Sequence, residues 1–153
     1  MKQPDYTASI LVKASTDKAF HCINDIAAWW TENIEGPTKA QGDEFTIHWG
    51  TDFVTIKIVE SVPEKKVVWY VTDCHLHWLA DVKEWKDTQM IFVLSAEGNC
   101  TRIDFTHGGL APQVECYEMC VKGWDQYFTD SLAKLINEGK GMPQKKAVAA
   151  AEA

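Results

Sequence analysis

The sequence predicts an α+β fold: an antiparallel sheet closed by one long C-terminal helix, with two short helices after the first strand. Three observations carry the prediction. From Glu44 to His107, apolar residues recur with period two in short runs separated by Gly, Pro, Asn and Asp turns, as in half-buried strands joined by hairpins. Over residues 112–138 the period becomes helical. Cys116, Cys120, Trp124, Phe128, Leu132 and Leu135 recur at three or four residues, flanked by Tyr117, Val121, Tyr127, Ser131 and Ile136. Between residues 15 and 32, two short helical patterns each open on a capping residue.

The chain begins with a strand over residues 6–13, where Tyr6, Ala8, Ile10 and Val12 alternate with Thr7, Ser9, Leu11 and Lys13. Ser15, Thr16 and Asp17 offer N-caps to a short helix whose inner side is Ala19, Phe20 and Ile23. Asn24 and Asp25 end it, and Asp25 can cap a second short helix over residues 26–32, before the Gly36-Pro37 loop. Phe45, Ile47 and Trp49 then alternate with Glu44, Thr46 and His48, and Gly50, Thr51 and Asp52 turn into a partner strand over residues 53–62. A turn at residues 63–66 leads to a strand over 67–72 with Val67, Trp69 and Val71 on one face. Residues 73–87 read as a short strand and a loop anchored by Trp78 and Trp85. Strands over 88–96 and 101–107 form a hairpin about Glu97, Gly98 and Asn99, with Met90, Phe92, Leu94, Ile103 and Phe105 inward. Pro112 suits the first turn of the closing helix, and Gly139, Gly141 and Pro143 stop it. At ~1.5 Å per residue that helix spans about 40 Å, the width of a small domain. Residues 1–143 are expected as one domain, and the Ala-rich tail 144–153 as a mobile appendage without a core face.

Composition narrows the function classes. With 153 residues, 46% of them hydrophobic, the chain can close one core. A formal charge of −7 and the lack of a basic patch argue against nucleic acid and against an anionic membrane surface. No apolar run approaches the ~20 residues of a membrane-spanning helix. Five cysteines, an odd number, and no secretion-type leader predict reduced thiols in a cytoplasmic protein.

The order of elements resembles the START-like, or SRPBCC, superfamily, whose helix-grip fold wraps a curved antiparallel sheet around a long C-terminal helix, as in birch-pollen-allergen proteins and polyketide cyclases. Within it, the chain is similar to the family named after the activator of the heat-shock-protein-90 ATPase. The residues behind the resemblance are Thr16-Asp17-Lys18-Ala19-Phe20, Trp29-Trp30, Gln41-Gly42-Asp43-Glu44-Phe45, Glu84-Trp85 ahead of Thr88, the run Thr101-Arg102-Ile103-Asp104-Phe105-Thr106-His107-Gly108-Gly109-Leu110, and Gly123-Trp124 followed by Ser131-Leu132. They extend over about residues 5–143. The resemblance implies a cavity between sheet and helix, used by ligand-binding relatives for sterols, lipids, polyketides or plant hormones. It also implies two alternatives: a cyclase- or hydrolase-like enzyme acting on a small carbonyl compound, and a stress-related, chaperone-interacting module. The eukaryotic cochaperone pairs this fold with a separate domain, whereas this chain is expected to carry the fold alone.

The inward positions nominated for an apolar or aromatic ligand are Phe45, Ile47, Trp49, Trp69, Met90, Phe92, Ile103 and Phe105 from the sheet and Cys120, Trp124 and Phe128 from the helix. The same rings can equally do no more than fill a core. Trp29 and Trp30 are expected near the mouth, on the ground that adjacent indoles on a short helix cannot both face one interior. For chemistry, Asp73 and His75 share the inward parity of Trp69 if the strand continues, and His107 shares that of Ile103 and Phe105. A carboxylate and imidazoles in an apolar cavity could serve as acid and base; equally, His107 could belong to a hydrogen-bonded turn and Asp73 to a wet strand end. Cys116 and Cys120, four apart on a helix, could join Cys74, His75, His77 and His107 around zinc, but without CxxC or HExxH the bland reading is preferred and no metal or cofactor is expected. Exposed aromatics would permit a homodimer.

Overall fold

The computed structural model describes residues 6–49, 51–77, 82–109 and 117–143. Seven strands form one antiparallel sheet in the order β1-β7-β6-β5-β4-β3-β2. In chain order these are β1 (Tyr6–Val12), β2 (Ile34–Glu35), β3 (Glu44–Trp49), β4 (Asp52–Val62), β5 (Lys66–His75), β6 (Gln89–Glu97) and β7 (Cys100–Gly108). Helices α1 (Thr16–Asn24) and α2 (Ile26–Trp29) follow β1. The closing helix comprises α3 (Tyr117–Trp124), a π-helical segment (Asp125–Leu132) and α4 (Ala133–Glu138). The α+β helix-grip architecture foreseen from the sequence is thus present. The side chain of Trp49, all of Gly50, Trp78, Pro112 and Cys116, the start of the expected closing helix and the tail 144–153 lie outside the described residues.

Alternation sorts the strands as expected: Tyr6, Ile10 and Val12 on β1, Val54, Ile56 and Ile58 on β4, Met90, Phe92 and Leu94 on β6, and Ile103 and Phe105 on β7 are buried. Two register shifts bend the β4–β5 pair. Val59 is the extra residue where Ile58 pairs with Trp69 and Glu60 with Val68; Thr72 is the extra residue where Ile56 pairs with Val71 and Thr55 with Asp73. The second shift reverses the parity of everything after it on β5, so Cys74 turns inward while Asp73 and His75 do not.

Ser15 caps α1 by accepting the Lys18 N–H at 3.1 Å, and Ala19, Phe20 and Ile23 are buried. Helix α2 is shorter than the expected 26–32: it ends at Trp29, and Asp25 gives it no side-chain cap. Strand β2, not foreseen, pairs Ile34 with Ile47 and Glu35 with Thr46. The π segment, also not foreseen, continues α3 without a break, since both Trp124 and Ala133 are right-handed helical. It suits the stripe Cys120, Trp124, Phe128, Leu132. A step of four residues overshoots an α-turn of 3.6 by about 40°, and the wider π turn offsets that drift, keeping all four side chains on the buried face.

The helix stops at Gly139, whose left-handed conformation (φ 83°) places its N–H on Leu135 O at 3.0 Å. The chain then crosses α2. Ser131 Oγ donates to Trp29 O at 2.7 Å and accepts the Met142 N–H at 2.6 Å, pinning α2 and the post-helix segment to the closing helix. Gly141 passes so close that a Cβ there would lie 2.5 Å from Ala28 O and 3.0 Å from Ser131 O. Gly141→Ala is therefore expected to lower stability by roughly 1–3 kcal/mol, the usual cost of overpacking, as a fall in Tm that Lys140→Ala on the exposed neighbour does not share.

Candidate functional site

The inward rings meet in one connected cluster beneath the closing helix. Trp69 is its hub, fully buried, with ring centroids of Phe92 at 4.7 Å, Phe45 at 5.7 Å, Trp30 at 6.0 Å and Trp29 at 6.3 Å. Trp29, Trp30 and Trp69 form a triangle of indoles within 26° of parallel. This corrects the expectation that Trp29 and Trp30 cannot share an interior: they are 0% and 5% exposed and both face Trp69. The helix ends between them: Trp29 is its last residue and Trp30 its C-cap, at φ −103° and ψ −68°.

On the helix side, Trp124 lies 4.7 Å from Phe105 and 4.9 Å from Trp30, and Phe128 lies 5.0 Å from Phe105. These are contact distances for aromatic pairs. At Trp124 and Phe128 the helix therefore touches the sheet, and the space foreseen between them is filled by the rings themselves. Cys120, Ile47 and Met90 are buried around the same cluster. An open groove of about 710 Å³ lies elsewhere, at the β4–β5 turn, bordered by Thr16, Glu64, Lys65 and Ser95; these side chains are solvated and have no part in the aromatic interior.

His107, fully buried, joins the cluster as a hydrogen-bonded bridge. Trp124 Nε1, a pure donor, gives its proton to His107 Nδ1 at 3.1 Å, so the ring proton must sit on Nε2, which lies 3.0 Å from Thr88 Oγ1. Thr88 passes its own proton to Trp85 O at 2.7 Å. Trp85 stands edge-on to the imidazole at 4.9 Å and nearly parallel to Trp124 at 6.4 Å. Burial pushes the His107 pKa down from 6.5 to about 3, so the ring is neutral near pH 7 and both nitrogens are occupied by structural bonds. It has no lone pair or proton left for a substrate.

Asp73 and His75, the other nominated acid–base pair, are not turned into the interior. Asp73 is half-exposed and pairs with Lys83 Nζ at 2.9 Å, a bond that holds its carboxyl below the usual range. The cause is the Thr72 bulge. A carboxylate without a local signal in the sequence is better buried: Asp52, 5% exposed at its side chain, accepts the His77 backbone N–H at 3.0 Å and lies 2.6 Å from His77 Nδ1. Burial alone would raise its carboxyl, but the His77 bonds and the nearby His75 hold it below the ordinary value. Asp52 follows a Gly-Thr turn, which reads as exposed, and its partner lies 25 residues away. Cys22, Cys74, Cys100 and Cys120 are free thiols. Cys74 faces inward, His75 and His77 do not, and among the described residues no three His, Cys, Asp or Glu side chains converge as metal ligands.

Residues 14–137 match the family model described as activator of Hsp90 ATPase homolog 1-like protein. The chain belongs to that family. No curated protein matches the sequence at a significant level. Among solved structures, the Aha1 dimer of Colwellia psychrerythraea superposes with a TM-score of 0.73 at 23% identity, covering 90% of this chain and 99% of that one. DynU16, a protein from the dynemicin biosynthetic locus, gives 0.65 at 17% identity over 90% of this chain and 49% of its own. CalU16 of Micromonospora echinospora gives 0.60 at 19% identity over 89% and 75%. At these identities the likeness establishes the fold. The residues singled out in the sequence for this Hsp90-ATPase-activator-like family fall into place accordingly. Trp29, Trp30, Trp124 and Trp85 all reach the aromatic interior, and Ser131 ties the first two to the helix. Among the described residues no helix is long and apolar enough to cross a membrane.

Proposed function

We propose that this protein binds an apolar or aromatic small molecule at the aromatic interior beside Trp69 and Trp30, and not where Trp124 and Phe128 meet Phe105 beneath the closing helix. One observation carries the reading. Trp69 Nε1 is buried at the hub of the aromatic cluster and makes no hydrogen bond. A buried donor left unpaired costs about 1–3 kcal/mol; Asn24 Oδ1 and His48 Nε2 are also buried without a hydrogen-bond partner, but Trp69 Nε1 alone of the three belongs to the aromatic cluster. Relatedness in fold to a protein from a biosynthetic locus supports a small-molecule role over a purely structural one. The enzyme reading draws less support, because His107 is committed and Asp73 and His75 lie outside the interior.

The test is native mass spectrometry and tryptophan fluorescence on the full chain with palmitate, cholesterol and 9-fluorenone. A one-to-one complex and a change in indole emission are expected with the planar aromatic probe. Absence of any complex across the three, with unchanged emission, would refute the proposal.

Self-association is a second property that we infer on separate grounds. The Colwellia relative is a dimer. In this chain Val62 and Val93 are 38% and 39% exposed and flank Lys66 across β4, β5 and β6. The exposed large apolar groups among the described residues are aliphatic, not the aromatic ones foreseen from the sequence. Sedimentation velocity at several concentrations decides the matter, and a monomer throughout would dismiss it.

A further inference from the structure

We infer that a second copy of this chain docks on the outer face of the sheet, along β5 and β6, about a two-fold axis parallel to β6. This rests on the self-association reading above and specifies its geometry.

The two central strands depart from the alternation of a sheet with one wet face. Val67-Val68-Trp69-Tyr70-Val71 on β5 and Met90-Ile91-Phe92-Val93-Leu94 on β6 are unbroken apolar runs, the pattern of strands covered on both sides. Val67, Trp69, Met90, Phe92 and Leu94 meet the core. Val68, Ile91 and Val93 are left on the opposite face. Val68 is only 6% exposed yet stands outside the core cluster, paired with Ile91 on one side and Glu60 on the other. Exposed Val62, opposite Lys66, carries the stripe onto β4. Beyond the stripe this face turns polar on both sides, at Arg102, Asp104 and Thr106 of β7 and at Glu44 and Thr46 of β3. An apolar centre inside a polar rim is the anatomy of a protein–protein interface.

Charge complementarity in the rim selects the partner. Asp104, Val93 and Lys66 stand in one row across β7, β6 and β5, and Thr106, Ile91 and Val68 stand in the next but one. A two-fold axis along β6 sets Val93 on Val93 and Ile91 on Ile91, and it brings Asp104 of each copy opposite Lys66 of the other. Both groups have bonding capacity left. Asp104 accepts from Ser9 and Arg102 at Oδ1 alone, and Lys66 meets Glu60 only at 3.5 Å. A two-fold axis across the strands at Ile91 would instead set Asp104 and Lys66 against the uncharged row of Gly108, Gln89 and Tyr70. The contact is narrow, because β5 and β6 lie near the middle of a sheet that bends away on both sides. About 20 Å across the strands and about 20 Å along them give a footprint of roughly 400 Å² per copy, half of a standard interface, so the dimer is of the weak, transient class.

The experiment is sedimentation of the full chain from about 10 μM to about 1 mM, the range in which a contact of this size forms. Wild type is expected to pass from monomer to dimer, and Val93→Lys to stay monomeric. Lys66→Glu and Asp104→Lys, made as separate chains, each set like charges against each other twice per dimer and should weaken self-association ~10-fold. An equimolar mixture of the two should recover the wild-type affinity, since the mixed dimer holds one native pair and one reversed pair. Each chain carries the same internal disturbance alone or mixed, so folding cannot account for the recovery. Wild-type dimerisation left unchanged by all three substitutions would overturn the face and leave the self-association reading standing. A mixture no tighter than its components would overturn the axis. A wild type monomeric throughout would remove the self-association reading itself and leave the stripe to a different protein. Should a variant not fold, amide resonances of the 15N-labelled wild type decide on dilution: shifts centred on Ile91 and Val93 are expected, and shifts confined elsewhere would overturn the face.

Discussion

Trp69→Ala is expected to destabilise the protein by about 3–5 kcal/mol, whereas Trp69→Phe should lie within ~1 kcal/mol of wild type. The alanine variant removes the hub of a ring cluster at a position with 0% exposure, and four neighbouring rings lose their contact at once. The phenylalanine variant loses part of that contact but also deletes the unpaired Nε1, whose desolvation costs about 1–3 kcal/mol. The two effects oppose each other. Trp124→Phe makes the same ring change where Nε1 is spent on His107, leaving Nδ1 of a buried imidazole without its donor. It should therefore cost roughly 2–3 kcal/mol, clearly more than Trp69→Phe. Equilibrium urea unfolding of the three variants checks the ordering. Equal losses for Trp69→Phe and Trp124→Phe would mean that the Trp69 N–H is already satisfied, for instance by the π face of Phe45 or Phe92.

The difference between those two tryptophans could not be read from the sequence, although both were placed inward. Period two puts Trp69 with Val67 and Val71, and the helical stripe puts Trp124 with Cys120 and Phe128, because each element has one wet face and one dry face. What each N–H meets depends on residues far along the chain. Asp73 and His75 show a related limit. Alternation was the right rule for β5 up to Val71, but the bulge at Thr72 arises from pairing with β4 and leaves no trace in the local pattern. Trp29 and Trp30 escape the local rule for a backbone reason. The rule that adjacent helical residues diverge holds inside a helix and lapses at its end, where Trp30 sits. Strand β2, two residues between Asn33 and Gly36, has no period to detect. The π segment changes the hydrogen-bonding register while preserving the four-residue spacing that announced a helix.

These same observations shift where a ligand belongs. A helix gripped by a curved sheet suggests a void along the whole helix, yet Trp124 and Phe128 close on Phe105. Among the described residues the buried side-chain polar atoms without a hydrogen-bond partner are Asn24 Oδ1, His48 Nε2 and Trp69 Nε1, and the last lies on the other side of Trp30, at the end of the four-residue helix α2.

Acid should destabilise the protein well above the range in which carboxylates titrate, and His107 is the reason. Its pKa is about 3 when folded against 6.5 when exposed, so between those values the unfolded chain binds a proton that the folded chain refuses. Stability is therefore full above pH 6.5 and is lost as pH falls toward 3, at up to ~1.4 kcal/mol per pH unit. Asp52, Asp73 and Asp104 are each held below 3.8 and add their own loss only beneath that value. The interval from pH 6.5 to 4.5 thus isolates the imidazole. His107→Asn keeps an acceptor for Trp124 Nε1 and cannot titrate. It should be less stable than wild type at pH 7 by roughly 2–4 kcal/mol, through the lost ring between Trp85 and Trp124. It should also show a flatter dependence across the interval. Urea midpoints measured every half pH unit provide the comparison. An unchanged slope in His107→Asn would assign the acid sensitivity to another group and would reopen His107 as a residue able to take up a proton in the folded state.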